Sequence, residues 1–146
     1  MQNKIKIRRL TRDDYEALCA LWKEAGLPFK PNGRDQQEKI AQQIESPCSI
    51  FLAAEQEGEF VGVILGTHDS RKGWINRLAV SPRYQQQGIA TRLVSAVEEQ
   101  LREQGIEIIA VLIEDWNKIS LRLFERLGYM RHDDIVYYTK RKDPKV

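Results

Sequence analysis

Residues 74–113 constrain the fold more than any other stretch of this chain. An apolar run over 74–80 stops at Ser81 and Pro82, crosses a glutamine-rich turn, and reaches Gly88 where a helical pattern begins. From there Ile89, Leu93, Val97 and Leu101 recur every fourth position, with Glu98, Glu99, Arg102 and Glu103 on the other side. That spacing predicts an amphipathic helix ending near Gly105. A second apolar run over 106–113, rich in Ile and Val, follows at once and reads as a largely buried strand. Strand, helix and strand in this order form a β-α-β crossover, which joins two parallel strands.

The N-terminal half supplies the rest of a sheet. Residues 4–10 alternate Ile5 and Ile7 with basic neighbours, the period of a half-exposed strand. Thr11 offers an N-cap with Asp14 at the capping-box position. Tyr15, Leu18, Leu21 and Trp22 then share a helical face that ends at Gly26, before Pro28. Residues 28–34 carry two prolines and a glycine and read as a loop. Asp35 and Glu38 form a second capping pair, opening a helix with Ile40, Ala41 and Ile44 inward and Pro47 as its stop. Runs over 49–54 and 60–67, separated by a charged segment with Gly58, predict an antiparallel hairpin, within which Gly62 and Gly66 mark bulges or close backbone approach. Near the C-terminus, Glu114, Asp115, Trp116 and Asn117 end the buried strand and open a helix to Leu127, and residues 135–139 read as a last strand before the basic tail. The expectation is one domain over residues 1–146.

The turn before Gly88 has a chemical use. The first amides of a helix have no intrahelical acceptor and sit at the positive end of the helix dipole, so main chain alone can hold a phosphate. Gly88 has no Cβ to block close approach, and Ala90 adds little. Gly88 by itself is better read as a tight turn that relieves crowding before an ordinary helix. The longer pattern of Val80, Pro82, Tyr84, Gln85, Gly88, Ile89 and Ala90 resembles the pyrophosphate-binding loop of the GNAT superfamily of acyl-CoA-dependent N-acyltransferases, whose core Gln/Arg-x-x-Gly-x-Gly/Ala is met by Gln85, Gly88 and Ala90. A second segment resembles the same family: Asn117, Ser120, Gly128 and Tyr129 match, while Phe124 stands where a Tyr is common.

That resemblance implies an α/β (α+β) fold with a mixed, largely antiparallel sheet, helices on both faces, and strands splayed around an acyl-CoA. It implies acetyl-CoA as cosubstrate, with its pyrophosphate on the amides of Gln86, Gln87, Gly88, Ile89 and Ala90 and with Thr91 adding a hydroxyl. Main-chain groups of Leu78, Ala79 and Val80 would pair with the pantetheine arm, Leu78 orienting the thioester carbonyl, and Asn117, Ser120 and Phe124 would line the cofactor. The first two helices and their loop, with Phe29, Lys30, Asn32 and Arg34, would form the acceptor side; a plain surface connection explains that loop as well. The implied activity is N-acetyltransfer to a primary amine by direct attack in a ternary complex. The other reading is a non-catalytic acyl-CoA-binding or regulatory module.

An amine nucleophile must lose a proton, because an unperturbed Lys amine has a pKa of about 10.4, so a general base is expected. Candidates by position are His68 and Asp69, before the central strand, and Glu114 and Asp115, after the buried one, with Glu114 favoured because it follows that strand directly. Exposed turn carboxylates and a solvated histidine are the plain alternative. Phe124 has no hydroxyl, so protonation of the departing thiolate cannot be carried over to it. Tyr129, Tyr137 and Tyr138 are substitutes that also fit simple packing.

Composition narrows the classes. The 146 residues carry 23 Lys and Arg against 21 Asp and Glu, a net charge of +2 that does not by itself imply nucleic acid. The basic run of Lys140, Arg141, Lys142 and Lys145 reads as a solvated tail ahead of a nucleic-acid contact. No apolar run reaches membrane-spanning length and the first residues lack a signal peptide's apolar segment, so a cytoplasmic protein is expected. Cys19 and Cys48, with only two histidines, do not make a metal site or a disulfide framework. No metal is expected, and oligomeric state is open between monomer and homodimer.

Overall fold

A computed structural model describes residues 4–146. The chain groups into two compact units, Met1–Val111 and Leu112–Val146. The first contains β1 (Ile5–Arg9), α1 (Tyr15–Glu24), α2 (Gln37–Glu45), β2 (Ser49–Gln56), β3 (Glu59–His68), β4 (Gly73–Val80), α3 (Ile89–Glu103) and β5 (Ile109–Val111). The second contains α4 (Lys118–Arg126) and the tail.

The five strands form one sheet in the order β1-β2-β3-β4-β5. The first three pairings are antiparallel and β4 pairs β5 in parallel, as the crossover through α3 requires. β2 and β3 are joined by Glu57 and Gly58, both at positive φ, the two-residue turn whose twist suits a hairpin.

Alternation divides the sheet's side chains between two helical layers. Phe51, Ala53, Val63, Leu65 and Ala79 enter one buried cluster with Leu18, Leu21 and Trp22 of α1 and Ile40 of α2. The opposite face receives α3, whose Ile89, Leu93, Val94, Val97 and Leu101 are buried. α3 lies so close that glycine is needed beneath it. A Cβ on Gly62 would sit 3.0 Å from Ile89 Cγ2, and one on Gly66 only 2.6 Å from Val97 Cγ1. Both glycines fall on the strand run where close approach was expected, and the β3–β4 register also shifts between Leu65 and Gly66.

Ion pairs centred on Arg8 and on Asp35 fasten the α1–α2 side. Arg8 of β1 donates to both carboxylate oxygens of Asp14, at 2.8 and 2.9 Å, and to Glu55 at 2.6 Å. The predicted capping role of Asp14 is present too: it accepts from Thr11 N at 2.8 Å and leads into α1 through a 3-10 turn, Arg12–Asp14. Asp35 differs from expectation. It does not cap α2, which begins after Gln36; instead it is buried, accepts from Lys30 N at 2.7 Å, and pairs with Arg77 of β4 at 2.9 Å. The Arg77 guanidinium lies 4.4 Å over the Trp22 ring. A carboxylate at this depth is stable only with such partners, which its spacing to Glu38 did not reveal.

Two predicted strands are corrected. The run over 106–113 pairs only through Ile109–Val111, leaving Ile108 and Leu112 exposed. Residues 135–139 form no strand, because β propensity becomes a strand only where a partner ladder is supplied. The helix opened by Asn117 ends at Arg126, one residue before the predicted Leu127.

Gly66→Ala is expected to cost about 1–3 kcal/mol, the range for overpacking, read as a lower urea midpoint at unchanged m-value. The Arg8 guanidinium holds the Asp14 carboxyl below its usual range. A carboxylate depressed in the folded state stabilises above its unfolded pKa and loses that contribution as pH falls through the folded value. Stability should therefore drop on acidification below about pH 4, and Asp14→Asn should flatten that part of the profile.

Candidate functional site

The site is built where β4 ends and α3 begins. Ser81, fully buried, keeps β4 in register by donating its main-chain N–H to Val61 O at 2.8 Å. Its hydroxyl donates to Glu24 at the end of α1 and accepts from Arg83 N at 3.3 Å. The Arg83 guanidinium then bridges Glu24 at 3.1 Å and Glu59 at 2.7 Å, and the Tyr84 hydroxyl also donates to Glu59. The hydroxyl donors hold both carboxyls below their usual range, Ser81 acting chiefly on Glu24 and Tyr84 on Glu59, with Arg83 second in each case. The first half of the loop is thus tied to α1 and to the start of β3.

The second half is bare main chain. Residues 85–88 are exposed, and Gln86 (φ 65°) and Gly88 (φ 77°) both take the left-handed conformation. For Gln86 that conformation is uncommon, and such positions concentrate at functional sites. The first intrahelical bond of α3 runs from Arg92 N to Gly88 O at 3.1 Å. The amides of Ile89, Ala90 and Thr91 therefore have no acceptor within the helix. Acidic side chains are stabilising at this position, yet α3 has none in its first turn. The positive end of its dipole faces an open turn, an arrangement suited to an external anion.

β4 adds a second main-chain surface. Because Ser81 N bonds Val61 O, alternation directs Ala79 and Arg77 toward β3 and turns the N–H and C=O groups of Leu78 and Val80 to the other side. On that side β5 pairs only with Gly73, Trp74 and Ile75. The register shift leaves Asn76 as an extra residue, and so decides which residues of β4 face outward beyond Ile75.

Two of the four base candidates lie elsewhere. His68 and Asp69 sit at the β3–β4 turn, where His68 Nε2 meets Gln104 Oε1 at 2.6 Å near the far end of α3. The eight residues of β4 separate them from Ser81, roughly 25 Å at a strand's rise. Asp69 is also occupied, accepting from Lys72 N at 2.7 Å and Arg71 N at 3.0 Å, and these amides lower its pKa. A carboxylate so held is a poor proton acceptor.

In the second unit, Glu114 and Asp115 are exposed. Asn117 caps α4, its side chain accepting from Ser120 N at 3.2 Å. Phe124 is buried and meets Tyr129 edge to face, with ring centroids 5.1 Å apart. Tyr137 and Tyr138 are exposed. Among the described residues no group of His, Cys, Asp or Glu is arranged to hold a metal ion, and no helix is long and apolar enough to cross a membrane.

The clamp of Glu24, Ser81, Arg83 and Glu59 was not visible in the sequence, since Ser81 and Glu24 stand 57 positions apart and no spacing rule joins them.

Comparison with known proteins agrees with this architecture. The PaiA N-acetyltransferase from Thermoplasma acidophilum, solved with coenzyme A, superposes with a TM-score of 0.80 at 20% identity, over 90% of this chain and 93% of that one. The aminoglycoside N-acetyltransferase AAC(6')-Iy, solved with CoA, gives 0.79 at 18% identity over 97% of both chains. A ribosomal-protein-alanine N-acetyltransferase from Brucella melitensis biovar Abortus 2308 gives 0.72 at 15% identity, over 94% of this chain and 99% of that one. Residues 7–129 match the acetyltransferase (GNAT) family, and the chain therefore belongs to the GNAT family of N-acetyltransferases.

Proposed function

We propose that the protein transfers the acetyl group of acetyl-CoA to a primary amine by direct attack within a ternary complex. The observation that carries this is the adjacency of two main-chain surfaces: the acceptor-free amides at the start of α3 and the outward-facing groups of Leu78 and Val80. The first suits a pyrophosphate and the second an extended amide-bearing arm, and coenzyme A carries both in that order. Relatives solved with CoA support the donor, and relatives named for aminoglycosides and for a ribosomal-protein alanine support an amine acceptor.

The pyrophosphate rests on the amides of Gln86, Gln87, Gly88, Ile89 and Ala90, with the Thr91 hydroxyl as a further donor, and Gln85 begins the turn. The main chain of Leu78, Ala79 and Val80 pairs with the pantetheine arm, and the Leu78 amide polarises the thioester carbonyl. The amine lone pair attacks that carbonyl carbon and charge gathers on its oxygen, where a fixed N–H donor is most effective. The C–S bond then breaks and thiolate leaves. A thiol's pKa of about 8.5 makes this leaving group tolerable near neutral pH, so water can protonate it and Phe124 need not. Glu114, directly after the β5 run, is the proposed base for the amine proton. Asn117 and Ser120 are carried as cofactor-side residues by their match to the family segment.

Incubation with acetyl-CoA and a panel of small amines and peptides, followed by free thiol, should show turnover above hydrolysis. Binding of acetyl-CoA without transfer to any acceptor would instead indicate an acyl-CoA-binding module. Gly88→Val forces a β-branched residue to φ 77° and should raise KM for acetyl-CoA at least tenfold, with a smaller change in kcat. Glu114→Gln should lower kcat by about 10²-fold or more, leaving acetyl-CoA affinity unchanged.

A further inference from the structure

The loop over 28–35 is built more firmly than a surface connection requires. Asp35, buried at 3% exposure, closes it on itself: its carboxylate accepts from Lys30 N at 2.7 Å, while Lys30 O accepts from Gly33 N and Asp35 N, each at 2.9 Å. Arg77 then holds the closed loop to β4 at 2.9 Å, one residue before Leu78. A buried ion pair is weak support for global stability, so what this one secures is the position of the loop.

That position faces the proposed reaction. α3 packs against one face of the sheet, and the Arg77 guanidinium, 4.4 Å over the Trp22 ring of α1, lies on the other. In the acetyl transfer proposed above the thioester meets β4 at Leu78. An amine reaching it from the α1 face passes the rim of this loop.

The rim is basic. Asp35 is the one carboxylate in the loop, and Arg77 neutralises it, which leaves Lys30, half-buried, and Arg34, exposed, without an ion pair among the described residues. The neighbouring helices do not cancel that charge. Asp14 is paired with Arg8, Glu24 with Arg83, and Glu38 and Glu45 with Arg12. What remains unpaired there is Lys23 and Lys39 against Asp13 and Glu16, so the two cations of the loop stand as a surplus.

We infer, resting on the acetyl transfer proposed above, that the acceptor is a primary amine that also carries an anionic group, a carboxylate or a phosphate, held by Arg34 with Lys30 beside it. The guanidinium fork donates two parallel N–H bonds to either group, and its pose is set by a loop already closed before the acceptor arrives. A polycationic amine meets the same two side chains as repulsion, which makes the rim a filter as well as a contact.

The test compares thiol release from acetyl-CoA with acceptors paired by charge: amino acids against their carboxamides, and O-phosphoethanolamine against ethanolamine, with spermidine and an aminoglycoside as polycations. At least one anionic acceptor should exceed its neutral counterpart about tenfold or more in kcat/KM, as a charge-assisted hydrogen bond predicts, and the advantage should shrink as salt is raised. The two arms separate carboxylate from phosphate. In Arg34→Ala the ratio of anionic to neutral should fall toward one, Arg34→Lys should keep part of it, and Arg34→Glu should reverse it. Arg34 is exposed, so all three variants should keep the wild-type far-UV circular dichroism, and KM for acetyl-CoA should stay within about twofold. Equal or faster turnover of the neutral or polycationic amines would overturn the anionic acceptor and leave acetyl transfer standing. An anionic preference that survives Arg34→Glu would overturn the assignment to this loop. Binding of acetyl-CoA with no transfer to any acceptor would sink both.

Discussion

The packing of α3 on β3 is the contact on which the rest of the first unit depends. With glycine at 62 and 66 the helix settles onto the sheet closer than any side chain would permit, and Ile89 and Val97 fill the space a Cβ would have taken. Because Ile89 is also the first residue of α3, that contact fixes where the helix starts. The unbonded amides of the first turn are held in place beside the end of β4 by apolar packing on the opposite side of the helix. The helix start is rigid because it is the end of a well-packed element, a sounder support than a free loop provides.

The loop between β4 and α3 is stiffened from its other end. Ser81 is buried and bonded on both its main chain and its hydroxyl, and Arg83 ties the same stretch to two elements remote in sequence. These ion pairs are exposed and add little to global stability. Their effect is local: they limit the directions from which the chain can enter the left-handed turn at Gln86. Residues 85–88, which are exposed, lie between the polar clamp and the helix. Across the sheet, the pair of Asp35 and Arg77 performs the same service for the loop over 28–35, pinning it to β4.

The features legible in the sequence were those with a local signature. Apolar residues every fourth position from Ile89 to Leu101 gave α3, and Gly88 with its neighbours gave the turn before it and the family. Asn117 announced its own capping role, and Gly62 and Gly66 announced close approach. What stayed hidden depends on partners far along the chain. Asp35 reads as a cap because Glu38 follows at the right interval, and only the folded sheet brings Arg77 to it. Residues 135–139 read as a strand because propensity is a property of the side chains, whereas pairing is a property of what lies alongside. Asp69 stood out because it precedes β4, and only the folded turn brings the Arg71 and Lys72 amides to its carboxylate.

The bulge at Asn76 sets the phase of a strand whose proposed working groups are peptide units. A surface made of main chain is indifferent to most substitutions, since every residue but proline presents the same donor and acceptor. Selection on such a surface falls on residue count and on the few places where a Cβ cannot fit. The side chains around it are free to drift. A fold shared at one-fifth identity shows how little of its side-chain detail this architecture requires.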